Sequence, residues 1–311
     1  MLTVLQTALE VGLIYGLVAL ALFISFSILN IADLSTDGCF TLGCAVGAML
    51  TIAGHPLLAL PAAMAAGMLS GFITAFLQTR LGVESILAGI ISNTGLYTIN
   101  LAVMGFSSNV SITGRDTVFS LFKALTGGSQ WSTLVLLALL LGVIAVVLIR
   151  FFGTSLGLSI RATGDSLDMV SASSINPKAT ITIGLCLANA LTALAGCLIG
   201  EYNKFCDINL GTGMVTIALA SLIIGEVFAG RRGGIGKRVV CVVLGSIVYR
   251  LIIALALRLN ISAEYFKLVS AVIVAVAIAA PNMKDYVHLA KIRSNARKLR
   301  ALSGKGDATD A

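Results

Sequence analysis

The chain has 311 residues, of which 58% are hydrophobic and 11% are charged, and its formal net charge is +7. Soluble domains carry about a quarter charged residues, so this composition excludes an ordinary soluble enzyme and indicates a protein surrounded by lipid. In lipid only helices and closed barrels satisfy the backbone, and long apolar runs without alternation favour helices. The sequence therefore predicts an all-α, polytopic membrane helix bundle.

About nine apolar runs are long enough to be candidate membrane spans. In chain order they cover residues 4–29, 36–53, 57–77, 85–104, 133–152, 180–200, 213–229, 239–257 and 266–280. The second and seventh runs are short and rich in glycine, which is also typical of re-entrant or broken helices. We expect a membrane domain over residues 1–281 and a basic cytoplasmic tail over residues 282–311.

Basic residues are concentrated in the loop 231–238 and in the tail that follows Pro281. If both regions are cytoplasmic, fifteen basic residues lie on the cytoplasmic side and five on the outer side, and the positive-inside rule favours that orientation. The C-terminus is then cytoplasmic and, with nine spans, the N-terminus lies outside. Topology and anionic lipid account for the positive charge without a nucleic-acid partner.

Two pairs of short matches suggest an internal duplication. Asp33-Leu34-Ser35 follows the first span and Asp207-Ile208-Asn209 follows the sixth, and a second pair at residues 80–81 and 258–259 has nearly the same offset. The predicted topology makes these halves inverted, a device that gives transporters alternating access.

In this interpretation repeat one covers about 4–105, repeat two about 180–281, and the span at 133–152 connects them. Asp33 would lie near the inner face and Asp207 near the outer face, so both are candidate pathway residues. The alternative is that each aspartate caps the helix that follows it.

A polar segment, residues 161–178, lies between two long apolar runs. Asp165 and Asp168 are three residues apart, and a helix starting at Thr163 or Gly164 would have them near its first turn, where acids are favoured. Asn176-Pro177 then predicts the start of the next span. This segment either docks a separate ATPase or is a solvated connector.

Polar residues within the spans are costly in hydrocarbon and must face the bundle, water or each other. Asn93, Asn189 and Arg250 are candidate pathway residues, and hydrogen bonding between neighbouring helices is the alternative for the two asparagines. Two Gly-x-x-x-Gly pairs, at residues 43 and 47 and at residues 67 and 71, predict close helix contacts.

Four stretches together resemble the permease subunits of bacterial ABC importers of the branched-chain amino acid and ribose type. They are residues 31–42 (IADLSTDGCFTL), 84–105, 161–176 and 245–259. The similarity is greatest to the tryptophan/tyrosine-type permeases, and it covers nearly the whole chain from about residue 5 to 281.

The resemblance implies that residues 161–178 form the cytoplasmic segment that couples the permease to its ATPase. The positions that match the family pattern are Arg161, Ala162, Gly164, Ile175 and Asn176, whereas Ser174 stands where the family usually has glycine. A glycine there would allow a positive φ that serine resists. Asp165 and Asp168 belong to the same candidate coupling surface.

The resulting expectation is a permease subunit, not an enzyme, that forms the pathway of an ATP-driven importer in the bacterial plasma membrane. Its partners would be an ATPase subunit that binds ATP and Mg, an extracytoplasmic substrate-binding lipoprotein, and a second copy of the chain. The chain has no phosphate-loop motif and is expected to hold no cofactor or metal. An amino acid, with aromatic ones included, is the expected cargo; a sugar or nucleoside permease and an ion-coupled secondary transporter are the alternatives.

Overall fold

The computed structural model describes residues 2–128, 130–230 and 233–258, together with the isolated positions 268, 271, 272 and 275. Over these residues the protein is a helix bundle with one small two-stranded sheet. The ninth predicted span and the basic tail lie outside the continuous described ranges.

Eleven α-helices occur in the described ranges. They are α1 (Leu2–Leu22, continued by a π-helix over Phe23–Ile28), α2 (Thr36–Ile52), α3 (Pro56–Thr79), α4 (Ser85–Val103), α5 (Val118–Leu125), α6 (Ser132–Phe152), α7 (Ser155–Asp165), α8 (Leu167–Ala172), α9 (Pro177–Asn203), α10 (Met214–Ala229) and α11 (Ile235–Arg258). The all-helical class is therefore confirmed.

Six of these helices are long and apolar enough to cross a membrane, namely α1 with its π-helix, α3, α4, α6, α9 and α11. They correspond to six of the nine predicted spans. The second and seventh predicted spans form α2 and α10, which are apolar but shorter, with 17 and 16 residues. The described residues thus account for eight of the predicted runs as helices, of which six have the length of a full crossing.

Long helices that run up and down give the bundle two ends. One end, called the basic end, contains Arg80, Arg150, Arg161, Lys178 and Arg238; α7 packs there against the end of α1, and the hydroxyls of Thr163 and Thr180 are 2.8 Å apart. The other end, called the sheet end, contains strands β1 (Asn109–Ser111) and β2 (Phe205–Asp207), which pair antiparallel. No local pattern in the sequence indicates these strands.

Helix α9 lies at the centre of the bundle, and glycines bring α2 and α3 into backbone contact with it. A Cβ atom at Gly43 of α2 would lie 1.9 Å from the carbonyl oxygen of Ala193, and one at Gly67 of α3 would lie 2.4 Å from that of Asn189. A Cβ at Gly71 would lie 2.5 Å from the carbonyl oxygen of Leu185, and one at Gly47 would lie 2.5 Å from Sγ of Cys197, both in α9. The predicted role of both Gly-x-x-x-Gly pairs in close helix contact is confirmed.

Helices α2 and α10 both begin inside the bundle rather than at its ends. The residues that precede α2 lie beside Asn189, which is the thirteenth of the 27 residues of α9. From that depth α2 runs to the sheet end, where Thr51 bonds Glu201, while α10 runs to the basic end, where Glu226 bonds Arg238. The two short helices therefore start in the middle of the bundle and point in opposite directions.

The glycine contacts yield a stability prediction. Gly67→Ala should lower the melting temperature of the detergent-solubilised protein, because the new Cβ would force α3 away from α9 at a cost of about 1–3 kcal/mol. Gly142→Ala in α6 is the matched control, since a Cβ there meets nothing within 4 Å. The control should melt at or above the wild-type temperature. Equal melting of the two variants would show that the glycine contact does not hold the bundle together.

Candidate functional site

A buried carboxylate marks the start of α2. Asp33 is 4% exposed, and its Oδ1 accepts hydrogen bonds from the backbone N–H and the hydroxyl of Ser35, at 2.8 and 2.6 Å. Its Oδ2 accepts a hydrogen bond of 2.8 Å from Nδ2 of Asn189, which is 1% exposed. Asp33 and Asn189, two separately predicted pathway candidates, thus form a single contact, here called the Asp33–Asn189 latch.

The position of this latch corrects the predicted depth of Asp33. The aspartate was expected near the inner face, but it lies beside the middle of α9 because the chain folds back into the bundle before α2 begins. No Lys, Arg or His of the described residues forms a salt bridge with it. A carboxylate at this depth is costly in lipid, so Asn189 and Ser35 replace the hydrogen bonds that water would provide.

The capping interpretation of Asp33 is partly correct. Its carboxylate binds the N–H of Ser35, one residue before α2, and its carbonyl oxygen accepts the Thr36 hydroxyl at 3.1 Å. Because the same carboxylate also reaches α9, it fixes the entry of α2 to the central helix. Local capping and a tertiary contact are combined in one side chain.

A second carboxylate joins the two short helices. Asp37 lies in the first turn of α2, and its two oxygens accept the N–H groups of Gly213 and Val215 at 2.9 Å each. These donors lie at the N-terminus of α10, where the helix dipole favours negative charge. Asp37 therefore holds the starts of α2 and α10 together, and the sequence offered no local sign of a partner 176 residues away.

The remaining pathway candidates lie elsewhere. Asn93 is half-buried on α4 with its amide oxygen 2.6 Å from where a Cβ of Gly38 would be, so it borders the start of α2. Asp207 lies in β2 at the sheet end, where it accepts the N–H of Asn209 at 2.8 Å. Arg250 lies 4.3 Å above the ring of Tyr15, beside a cleft of about 260 Å³ between α1 and α11.

The predicted coupling segment, residues 161–178, contains the end of α7, the whole of α8 and the start of α9, all at the basic end. A helix was expected to start at Thr163 or Gly164, and this prediction is wrong, because both residues lie in the last turns of α7. The cap is instead Ser166, whose side chain accepts the N–H of Met169 at the start of α8. Asp165 consequently ends α7, while Asp168 lies in the first turn of α8. The cap formed by Ser166, two residues before Asp168, therefore separates α7 from α8.

The end of the segment has the predicted turn chemistry. Ser174 has φ of +60°, in the left-handed region where glycine is favoured, so the position does require the conformation that a family glycine would provide. Ile175 is half-buried, and Asn176 then caps α9 by accepting the N–H of Lys178 at 3.0 Å. Pro177 occupies the first helical turn of α9, as predicted.

The segment presents a mixed apolar and charged surface. Arg161, Asp165 and Asp168 are exposed, as are Leu167 and Met169 at 54% and 60%. Val170 is buried beneath them and attaches α8 to the bundle. Apolar side chains exposed beside charges at one end of a membrane bundle are typical of a surface that binds a protein.

Another buried acid was not singled out by the sequence. Glu201, near the end of α9, is 1% exposed and accepts the N–H of Val118 at 2.8 Å and the hydroxyl of Thr51 at 3.1 Å. It thereby anchors the start of α5 and the end of α2 at the sheet end. Its partners lie 83 and 150 residues away, so no sequence spacing indicates this contact.

Comparison with known families and proteins identifies one family over most of the chain. Residues 4–278 match the family described as the branched-chain amino acid transport system, permease component. The chain is 31% identical over 273 residues to the tyrosine transport system permease protein of Clostridioides difficile (strain R20291), covering 88% of this chain and 89% of that protein. It is also 31% identical over 285 residues to an uncharacterised protein of Rickettsia prowazekii (strain Madrid E), covering 91% and 99%. No solved structure matches the chain significantly.

The latch between Asp33 and Asn189 can be tested by stability. Asn189→Leu should lower the free energy of unfolding by about 1–3 kcal/mol, because it leaves a buried carboxylate oxygen without its donor. Thr126→Val, at an exposed position after α5, is the control and should change little. Thermal unfolding in detergent measures both. The double exchange Asp33→Asn with Asn189→Asp should be more stable than Asn189→Asp alone, because it restores one amide opposite one carboxylate. An unaltered melting temperature for Asn189→Leu would contradict the assignment.

Proposed function

The chain belongs to the family of branched-chain amino acid transport system permease components, and from that premise we propose that it is the membrane permease of an ATP-driven importer. As a permease component it is a multi-pass membrane protein of a transport system, and that family is a transport family rather than an enzyme class. In the proposed assembly a separate ATPase binds ATP and Mg, and an extracytoplasmic lipoprotein delivers the cargo.

The observation that carries this proposal is the surface of residues 161–178. Leu167 and Met169 are exposed at the basic end between the charges of Arg161, Asp165 and Asp168. Exposed apolar side chains that are rimmed by charged ones are suited to a groove on a soluble partner. The positive-inside rule supports the basic end being cytoplasmic, which is the side on which an ATPase meets its nucleotide.

A pathway between two copies of the chain is supported by α4. This helix has the lowest mean hydropathy of the six long helices described, 1.4, and it exposes Thr94, Tyr97 and Thr98 near its middle. Hydroxyl groups at mid-span avoid lipid tails by facing protein or water. We therefore propose that α4 faces its equivalent in a homodimer and that the cargo passes along this hydroxyl-bearing face, with Asn93 beside it.

The two short helices support the inverted-repeat interpretation as part of the same proposal. Each follows a long helix, each starts inside the bundle, and they run to opposite ends. Broken helices of this kind, paired across a pseudo-twofold axis, allow transporters to open alternately to each side. Repeat one would end with α4 and repeat two would begin with α9.

The proposed cargo is an amino acid, and an aromatic one is favoured by the relative named for tyrosine transport. Selection is proposed to reside largely in the lipoprotein. The principal alternative function is an ion-coupled secondary transporter, and the observation that favours it is Asp33, a buried acid without a cationic partner among the described residues. Such acids often bind protons or cations in secondary transporters.

Charge reversal in α8 tests the proposed docking surface. Asp168→Lys should reduce recovery of the ATPase with the purified permease by at least about tenfold, because it reverses a charge in the proposed interface and a mismatched charge there costs several kcal/mol. Membrane insertion should persist, since Asp168 is exposed and makes no buried contact.

Asp116→Lys is the matched control, because Asp116 is an exposed acid at the sheet end. Quantitative co-purification from membranes that contain both subunits measures the two variants side by side. Equal ATPase recovery for Asp168→Lys and Asp116→Lys would reduce residues 161–178 to a connector and favour the secondary transporter.

A further inference from the structure

The π-helix at the end of α1, residues 23–28, contacts several functional elements of the basic end. A π-helix is rare and occurs frequently at functional sites. Here its wider turns end in irregular backbone: the N–H of Leu29 bonds the carbonyl of Ile24, that of Ile31 bonds the carbonyl of Ser25, and Asn30 has φ of +56°. Only three residues separate Leu29 from Asp33 of the latch.

One face of this segment touches the coupling segment. Gly164 lies so close to the end of the π-helix that a Cβ there would be 1.8 Å from the carbonyl oxygen of Ile28 and 3.0 Å from Cα of Leu29. The absence of a side chain at Gly164 lets the α7 backbone rest directly on the α1 backbone. A displacement of α7 therefore cannot be absorbed by side-chain rearrangement at this point.

Another contact attaches the segment to α10 and α11. The hydroxyl of Ser27 bonds Oε1 of Glu226, and the guanidinium of Arg238 bonds both of these groups, 2.8 Å from Glu226. The same guanidinium lies 5.0 Å from the ring centroid of Phe23. The π-helix is thus bound at its side to the basic ends of the two helices that follow α9.

The third contact reaches α9 just below the latch. Leu29 is 4% exposed, and its Cδ1 lies 2.4 Å from where a Cβ of Gly184 would be. Gly184 is five residues, little more than one helical turn, before Asn189. Leu29 therefore fills a notch in α9 next to the partner of Asp33.

From these contacts we propose that residues 23–33 transmit movement of the coupling segment to the Asp33–Asn189 latch, with Leu29 and Gly164 as positioning residues. When the ATPase moves α7, the rigid backbone contact at Gly164 shifts the π-helix, Leu29 leaves its notch beside Gly184, and the latch opens. The residues that lead into α2, which the latch ties to α9, can then shift against α9 in the middle of the bundle. This inference rests on the proposed ATP-driven function.

The protein carries its own reporter for this movement. Cys39, one turn into α2, is fully buried, and its Sγ is 3.3 Å from the carbonyl oxygen of Asn189. The variant used for labelling retains Cys39 and has Ala in place of the other cysteines (Cys44, Cys186, Cys197, Cys206 and Cys241). The rate at which a membrane-permeant maleimide labels Cys39 then reports opening at the start of α2.

Labelling is measured on the assembled permease–ATPase complex, without nucleotide and trapped with ATP and orthovanadate. We expect trapping to speed labelling of Cys39 by about tenfold, which corresponds to lowering the free energy of opening the latch by about 1.4 kcal/mol. Leu29→Ala and Gly164→Ala should each reduce this nucleotide effect to less than about twofold. Leu158→Ala, at an exposed site of the same helix α7, should keep it.

The outcomes separate this inference from the proposed function. If the wild-type complex hydrolyses ATP and imports cargo, yet Cys39 labelling ignores nucleotide or Leu29→Ala and Gly164→Ala respond like Leu158→Ala, the transmission route is wrong and the importer function stands. If no ATPase assembles with the chain, both fail. Two controls exclude misfolding as the cause of a lost response. The ATPase should co-purify with each variant, and the Leu29→Ala complex should hydrolyse ATP at the wild-type basal rate.

Discussion

The backbone contact of α9 with α2 and α3 is the constraint on which the rest of the protein depends. Glycines at positions 43 and 67 let two helices approach the central one without intervening side chains. Without a hydrophobic force between helices in lipid, this close packing supplies much of the association energy. It also fixes α2 beside the middle of α9, and so makes possible a short helix that begins inside the bundle.

That placement explains why acids lie at the starts of the short helices. A helix that begins inside a membrane protein leaves N–H groups without water, and each must find a protein acceptor. Asp33 serves the entry of α2 and Asp37 serves α10, so the two short helices are joined where both begin. These acids are therefore required by the fold itself, whatever part they also play in transport.

Hydropathy predicted the long helices well, because a helix that crosses a bilayer needs an apolar run of a certain length. It also identified the shorter apolar runs that form α2 and α10. The family pattern pointed to Ser174 as a departure from glycine, and serine was expected to resist a positive φ, yet Ser174 adopts φ of +60°. Asp33 and Asn189 were each named, yet their contact was not, because it joins residues 156 positions apart. The π-helix, the Asp37 cap and the pairing of β1 with β2 depend in the same way on distant neighbours, and local patterns carry no information about them.

The central claim is that this permease works by ATP hydrolysis in a partner. Uptake into proteoliposomes containing the permease, its ATPase and the lipoprotein tests it most directly. We expect amino-acid uptake that requires ATP inside the proteoliposomes and the lipoprotein outside them. This uptake should persist when ionophores abolish proton and sodium gradients. Uptake by the permease alone, driven by an ion gradient and indifferent to ATP, would contradict it.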